Sequence, residues 1–121
     1  MPSVFTTYFG NQVIEQQLRA TSRYLALFTA DPGVLGSLAD EVAGGDYERQ
    51  LLPLTAAGSK TTGNSGVIIF DNLPACTVTY MAIADLQFAG HLLLITQTAS
   101  PLVIPNSARL TLAAGEVAVT L

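Results

Sequence analysis

The sequence predicts a mainly β protein, an antiparallel sandwich or barrel preceded by one N-terminal α-helix. Three observations predict it. Short apolar runs recur about every 8 to 15 residues with turn-forming residues between them, the rhythm of hairpin-connected strands. Only one stretch, near the N-terminus, carries apolar residues at helical spacing. Helices and strands do not alternate along the chain, which disfavours a parallel α/β fold.

Ser3 to Ala20 is the helical stretch, in which Val4, Phe5, Tyr8, Phe9, Val13, Ile14 and Leu18 approximate one face. Ser3 is the expected N-cap, its hydroxyl accepting from an orphan N–H of the first turn. Gly10 falls mid-pattern and is expected to bend or interrupt the helix, and Thr21-Ser22 closes it. Tyr24 to Thr29 (YLALFT) is short, apolar and partly aromatic. It stops at Asp31-Pro32-Gly33, where Pro presets φ and Gly supplies a permissive angle, so it reads as a buried strand. Pro32 to Asp46 carries Gly33, Gly36, Gly44 and Gly45 and reads as a long loop. The acids Asp31, Asp40, Glu41, Asp46 and Glu48 crowd into this stretch and its borders. Compact domains rarely leave so long a segment without structure, so the loop is expected to cover or contact something.

Tyr47 to Leu54 is the second expected strand, and Ala57 to Gly66 a flexible connection. Val67 to Phe70 is a strand stopped by Asp71-Asn72 and Pro74. In Thr77 to Ala84, alternation sets Val78, Tyr80 and Ala82 on one face and Thr79, Met81 and Ile83 on the other. Gly90 to Thr96, Pro101 to Ile104, Ala108 to Leu112 and Glu116 to Leu121 supply the remaining strands.

Composition narrows the function classes. Of 121 residues, 5 are Lys or Arg and 9 are Asp or Glu, giving 12% charged residues and a net charge of -4. Ordinary domains carry about 25% charged residues. An apolar share of 50% supports one compact core at this length, hence a single domain with residues 1–22 as a helical anchor segment and 23–121 as the sandwich. Intrinsic disorder is excluded for most of the chain by the hydrophobicity, and the missing basic stripe argues against a nucleic-acid module. The surface must either be coated with neutral polar residues or be covered by other chains. From Leu86 to Leu121 the only Asp, Glu, Lys or Arg residues are Arg109 and Glu116, which reads equally as sheet core or as a covered sheet face. Met1 to Gly10 lacks the features of a signal peptide, and the apolar run around His91 to Ile95 is far shorter than the roughly 20 residues of a membrane helix. Synthesis in a reducing cytoplasm fits the lone Cys76, a small buried or half-buried apolar residue on the usual preferences.

Chemistry is sparse. One His and one Cys cannot build a zinc cage, and Gly63-Asn64-Ser65-Gly66 lacks the spacing of a nucleophile elbow. His91 reads as a polar residue at a strand start. The acids from Asp31 to Glu48 do not follow calcium-loop spacing and read as a solvated loop. Phe5, Tyr8 and Phe9 most simply pack the helix onto its own sheet; the alternative is an aromatic anchor onto a neighbouring chain. Arg49 is placed to pair with an acid of the preceding loop, a weak contact if exposed.

The run Tyr24 to Gly33, followed by Glu41-Val42, Gly44-Gly45 and Tyr47-Glu48-Arg49-Gln50, resembles a recurrent small protein of tailed bacteriophages with the pattern LYVALFTADP…G…EVSGGGYARQ. The likeness continues through Asn64, Val67 to Phe70, Leu73-Pro74, Val78 to Asp85, Gly90 with Leu92-Leu93, and the close at Ala113-Ala114-Gly115 and Val117 to Leu121. Phe5 to Arg19 is similar to the family's FSDYLENKLLDHLLR helix, whereas Thr79 to Asp85 replaces the family's W-G or H-x-G-x-F-D. The resemblance implies a virion structural protein, often labelled tail-fibre, with likeness to jelly-roll capsid cement proteins. It implies no catalytic residue.

The combined expectation is a non-enzymatic virion protein with a jelly-roll-like sandwich, foremost a capsid decoration protein bridging major capsid protein subunits on the capsid surface. It would be made in the host cytoplasm and form a homo-oligomer, a dimer or trimer. The alternative is a tail or tail-fibre-associated protein packed against tail proteins. A glycan-binding jelly roll is the third reading, weakened by the lack of Trp. Expected interface residues are Phe5, Tyr8, Phe9, Asp31, Pro32, Tyr47 and Arg49. No cofactor, metal, nucleic acid or membrane partner is expected.

Overall fold

The computed structural model describes residues 3–121. Helix α1 spans Thr7–Val13 and continues without a break into a π-helical stretch, Ile14–Arg19. The strands are β1 Tyr24–Phe28, β2 Gln50–Leu51, β3 Thr61–Gly63, β4 Ile68–Leu73, β5 Cys76–Ala84, β6 Leu92–Ile104, β7 Ala108–Leu112 and β8 Ala118–Thr120. Every pairing is antiparallel. Strands β2-β1-β5-β6 form a four-stranded sheet, and β3-β8 and β4-β7 form two ribbons. The pairs β3·β8, β4·β7 and β5·β6 nest inside one another, so β6 to β8 retrace β3 to β5 as one folded-over hairpin, the winding of a jelly roll. The fold is the mainly β, antiparallel one expected, with one N-terminal helix.

The helix is capped and seated differently from expectation. Thr6, not Ser3, is the N-cap: it is extended (φ -66, ψ 159) and its hydroxyl accepts from the Phe9 N–H at 3.2 Å. The buried residues are Gly10, Ile14 and Leu18, spaced four apart. Gly10 does not interrupt α1. Its missing side chain leaves room for the Lys60 stem, which occupies the space a Cβ would take. The segment from Leu54 to Lys60 then clamps the helix by polar contacts. Glu15 accepts from the Ala57 N–H (2.7 Å), Asn11 accepts from the Lys60 N–H (2.8 Å), and the Lys60 ammonium donates to the Phe5 carbonyl (2.8 Å).

The main core joins Ile14 and Leu18 of the helix to Leu25 and Leu27 of β1, Phe70 of β4 and Ile83 of β5. Strand β1 is buried on both faces, which explains its unbroken apolar run. On its other face Ala26 and Phe28 pack with Ala82 under Leu38, Tyr80 and Leu92. Leu38 comes from the long loop, which therefore does cover something. Burying a side chain the size of Phe28 contributes about 1.5–3 kcal/mol, so this small second core matters to the sheet.

Three strand expectations are corrected. Tyr47 to Leu54 makes a lone bridge from Leu54 to Asn64 and pairs with β1 only at Gln50–Leu51, because the loop backbone already occupies the rest of that β1 edge. There Val42 donates to the Leu27 carbonyl (2.9 Å) and Thr29 to the Asp40 carbonyl (3.0 Å). The separate strands expected at Gly90 to Thr96 and Pro101 to Ile104 are one strand, β6. It lies at the sheet edge, so the N–H that Pro101 lacks costs no ladder bond. The connection at Ala57 to Gly66 contains a short strand, β3.

A bulge also corrects the face assignment in β5. Gln97 pairs with Tyr80 but Leu102 pairs with Val78, so residues 98–101 bow out opposite Thr79 alone. Thr98 fastens the bow through a bond from its hydroxyl to the Thr79 carbonyl (3.1 Å). The bulge shifts the side-chain phase, and Val78 joins Met81 and Ile83 in the main core instead of siding with Tyr80 and Ala82.

Candidate functional site

Among the described residues, no group of three or more His, Cys, Asp and Glu side chains is placed to hold a metal ion, and no buried side-chain nitrogen or oxygen lacks a hydrogen-bond partner. None of the described helices is long and apolar enough to cross a membrane. His91 is exposed at the mouth of the β5–β6 turn, its backbone N–H donating to Asp85 at 2.7 Å. That bond is the main cause holding the Asp85 carboxyl below its ordinary value. Cys76 is half-buried, and burial pushes its thiol pKa up, away from the reactive thiolate. What the chain offers is surface held in place by an internal polar lattice.

The lattice centres on Arg49, whose side chain is 3% exposed. Its Nε and Nη2 grip both oxygens of Glu41, at 2.8 and 2.9 Å. Its Nη1 donates to the carbonyls of Leu86 (2.8 Å) and Ala89 (2.6 Å). The Tyr47 hydroxyl donates to Glu41 (2.6 Å) and accepts from the Leu27 N–H (3.1 Å), while its ring stacks on Phe70 at 6.1 Å. Burial first, and then the bond to the Glu41 carboxylate, drive the Tyr47 hydroxyl pKa far up, so it stays a donor. The Glu41 carboxylate likewise raises the pKa of Arg49. A planar fork suits this role, since one guanidinium ties the long loop to the β5–β6 turn. The expected pairing of Arg49 with a loop acid is present, but it is internal. Arg49 is engaged wholly within its own chain, and Tyr47 is half-buried beside it.

The remaining expected interface residues divide. Asp31 is exposed and accepts from the Gly33 N–H (2.8 Å), stabilising the turn, while Pro32 is buried. Tyr8 and Phe9 are 73% and 52% exposed, and Phe5 is exposed beside Phe9 in an edge-to-face contact at 5.4 Å. The simpler expectation, that these aromatics pack on their own sheet, is overturned: the sheet side of the helix is taken by Gly10, Ile14 and Leu18.

Several residues escaped the sequence reading. Val34 and Leu35 are fully exposed at the loop tip, and Leu86 and Phe88 are exposed on the turn that Arg49 holds. The signals available were Val34-Leu35 set between Gly33 and Gly36, and Leu86 and Phe88 flanking Gln87 just before Gly90. Asn64 was also missed as a structural centre. It is 1% exposed, donates to the carbonyls of Gly66 and Ala113, and accepts from the Val117 N–H, all within 2.8–2.9 Å.

A family model described as "Podophage GP4 fiber I protein gp80" matches residues 4–120. No curated protein matches the chain.

Proposed function

The chain belongs to the podophage GP4 fiber I protein family, and from that premise we propose that it is a non-enzymatic, tail-fibre-associated structural protein of the virion. The family description favours this tail reading over the capsid decoration foremost in the sequence analysis. One observation carries the mode of attachment: Tyr8 and Phe9 are exposed on a helix that is itself clamped to the body, with Val4 and Phe5 exposed on the segment just before it. Exposed aromatics on a rigid support are what an interface anchor requires, because ordering them on binding costs little entropy. The mechanism is area, not chemistry. Apolar surface removed from water contributes about 25 cal/mol per Å², reduced by the cost of association.

Gold labelling of an epitope-tagged copy on intact particles tests the location. Label on tails with bare heads is the expected result; label confined to heads would restore the capsid reading. The double substitution Tyr8→Ala and Phe9→Ala tests the anchor. The variant should keep the β-type circular dichroism spectrum and disappear from purified particles. Normal incorporation would remove the aromatic helix from the attachment.

A further inference from the structure

We propose that the cleft between the end of the N-terminal helix and the segment Leu51 to Leu54 binds an acidic residue of a partner polypeptide, with Arg23 receiving its carboxylate. The cleft holds about 550 Å³, with Leu18 to Arg23 on one side and Leu51 to Leu54 on the other. That volume falls inside the roughly 300–1,000 Å³ of ligand-holding clefts.

The pairing of the arginines carries the inference. Among the described residues, Arg19, Arg49 and Arg109 each pair with a carboxylate, that of Glu15, Glu41 and Asp71 in turn. Arg23, half-buried, is the one arginine of the four that makes no such pair. Asp85 on β5 feels its charge from beyond ion-pair distance, but that carboxylate accepts from the His91 N–H. No Asp or Glu lines the cleft. A half-buried guanidinium in an acid-free cleft is thus short of a carboxylate that only another chain can bring. Such charge-assisted bonds are about twice as strong as neutral ones.

The fork is held ready for it. Nε and Nη2 of Arg23 both donate to the Gln17 carbonyl, at 2.9 and 2.7 Å. These bonds fix the plane of the guanidinium, and they cover a carbonyl at the helix C-terminus that would repel an anion. Among the described residues nothing accepts from Nη1. Its outer N–H, with that of Nη2, makes an end-on pair suited to the two oxygens of a carboxylate.

The walls favour a peptide over an acidic sugar. Leu18, Leu51, Leu52, Pro53 and Leu54 give an apolar lining, Leu51 being 55% exposed. No aromatic ring or side-chain amide lines the cleft to hold a sugar. The partner segment is therefore an acidic residue flanked by apolar ones. The cleft lies at the other end of the helix from Phe5, Tyr8 and Phe9, so the inference goes beyond the aromatic attachment and does not rest on it.

Titration of the nitrogen-15-labelled chain with the N-acetylated, C-amidated tripeptide Leu-Glu-Leu reads the binding by NMR. The Arg23 Nε resonance and the amides of Leu51, Leu52 and Leu54 should shift and saturate at or below about 10 mM. The Leu-Gln-Leu counterpart should bind about tenfold more weakly or worse, and Arg23→Gln should lose a similar factor. Leu51→Glu leaves the bonds to Gln17 in place but sets a like charge at the rim, so it should also weaken binding while the circular dichroism spectrum stays unchanged. No saturable shift, equal affinity for the glutamine peptide, or a Leu51→Glu chain that binds like the wild type would each overturn the proposal. Glucuronate or inorganic phosphate binding as tightly as the Leu-Glu-Leu peptide would overturn it equally, by making the cleft an acidic-sugar or general anion site.

Discussion

Replacing Arg49 by Met tests whether the internal lattice holds the loop and the β5–β6 turn together. The substitution removes the two bonds to Glu41 and those to the Leu86 and Ala89 carbonyls, at a position 3% exposed. Breaking one side of a buried ion pair costs about 3–5 kcal/mol, chiefly because the partner charge is left uncompensated. Stability of a chain this size is about 6–18 kcal/mol at 0.05–0.15 kcal/mol per residue, so the variant should lose a large share of it. In thermal unfolding the loss should appear as a fall in Tm of about 15 °C, taking about 4 °C per kcal/mol for this length. Arg49→Lys should cost less but not be neutral, since an ammonium cannot grip both carboxylate oxygens as the fork does. The decisive variant is the double one, Glu41→Leu with Arg49→Met. With both charges gone nothing ionic is left buried, so the double variant should cost less than the two single changes together. A loss below about 1 kcal/mol for Arg49→Met, or strict additivity in the cycle, would refute the reasoning that the pair acts as a buried unit.

Three further outcomes are expected. Asn64→Ala leaves the Gly66 carbonyl and the Val117 N–H without their partner and takes one of two donors from the Ala113 carbonyl, and urea unfolding should show a loss of about 2–3 kcal/mol. Gly45→Ala should cost more than about 1 kcal/mol, because the residue has φ +53 and a Cβ would lie 2.5 Å from the Asn72 carbonyl oxygen. The Glu15 carboxyl is held below its ordinary 4.5, first by the Ala57 N–H, so its contribution is present above pH 4.5 and fades as the pH falls through the lowered folded-state value. Acid titration of wild-type and Glu15→Gln proteins should therefore show a shallower decline below pH 4.5 in the variant; parallel declines would contradict the assignment.

The antiparallel β architecture was legible because strand rhythm and turn residues are local properties, and β1 with its stop at Asp31-Pro32-Gly33 falls where expected. The helix misled on its face. Phe5, Tyr8 and Phe9 stand at helical spacing and imitate a buried stripe, yet the seat was prepared by a glycine that makes space for Lys60, fifty residues away. Strand β6 hid its continuity behind Pro101, since a sequence does not declare that a strand lies at an edge. The Arg49 lattice was half legible. A loop acid as partner could be read, but the carbonyls of Leu86 and Ala89 lie 37 and 40 residues downstream, and only the folded chain brings them to the guanidinium. The exposed residues at the loop tip and the β5–β6 turn went unremarked because singly exposed apolar residues are common on protein surfaces.

If the chain is the tail component proposed above, it is also a mechanical part, and the clamp on the N-terminal helix sets the path of a load. If the particle grips the chain at Phe5, Tyr8 and Phe9, a pull enters α1 and meets the bonds from Asn11, Glu15 and the Lys60 ammonium side by side. Contacts arranged in parallel share tension and yield together, whereas contacts in series peel one at a time. The force is handed to the segment from Leu54 to Lys60 before it reaches β1, so the central strand of the sheet is not the first element to be drawn. Drag on the body is thus met by this polar joint together with the core contacts of Ile14 and Leu18, ahead of the ladder bonds of the sheet.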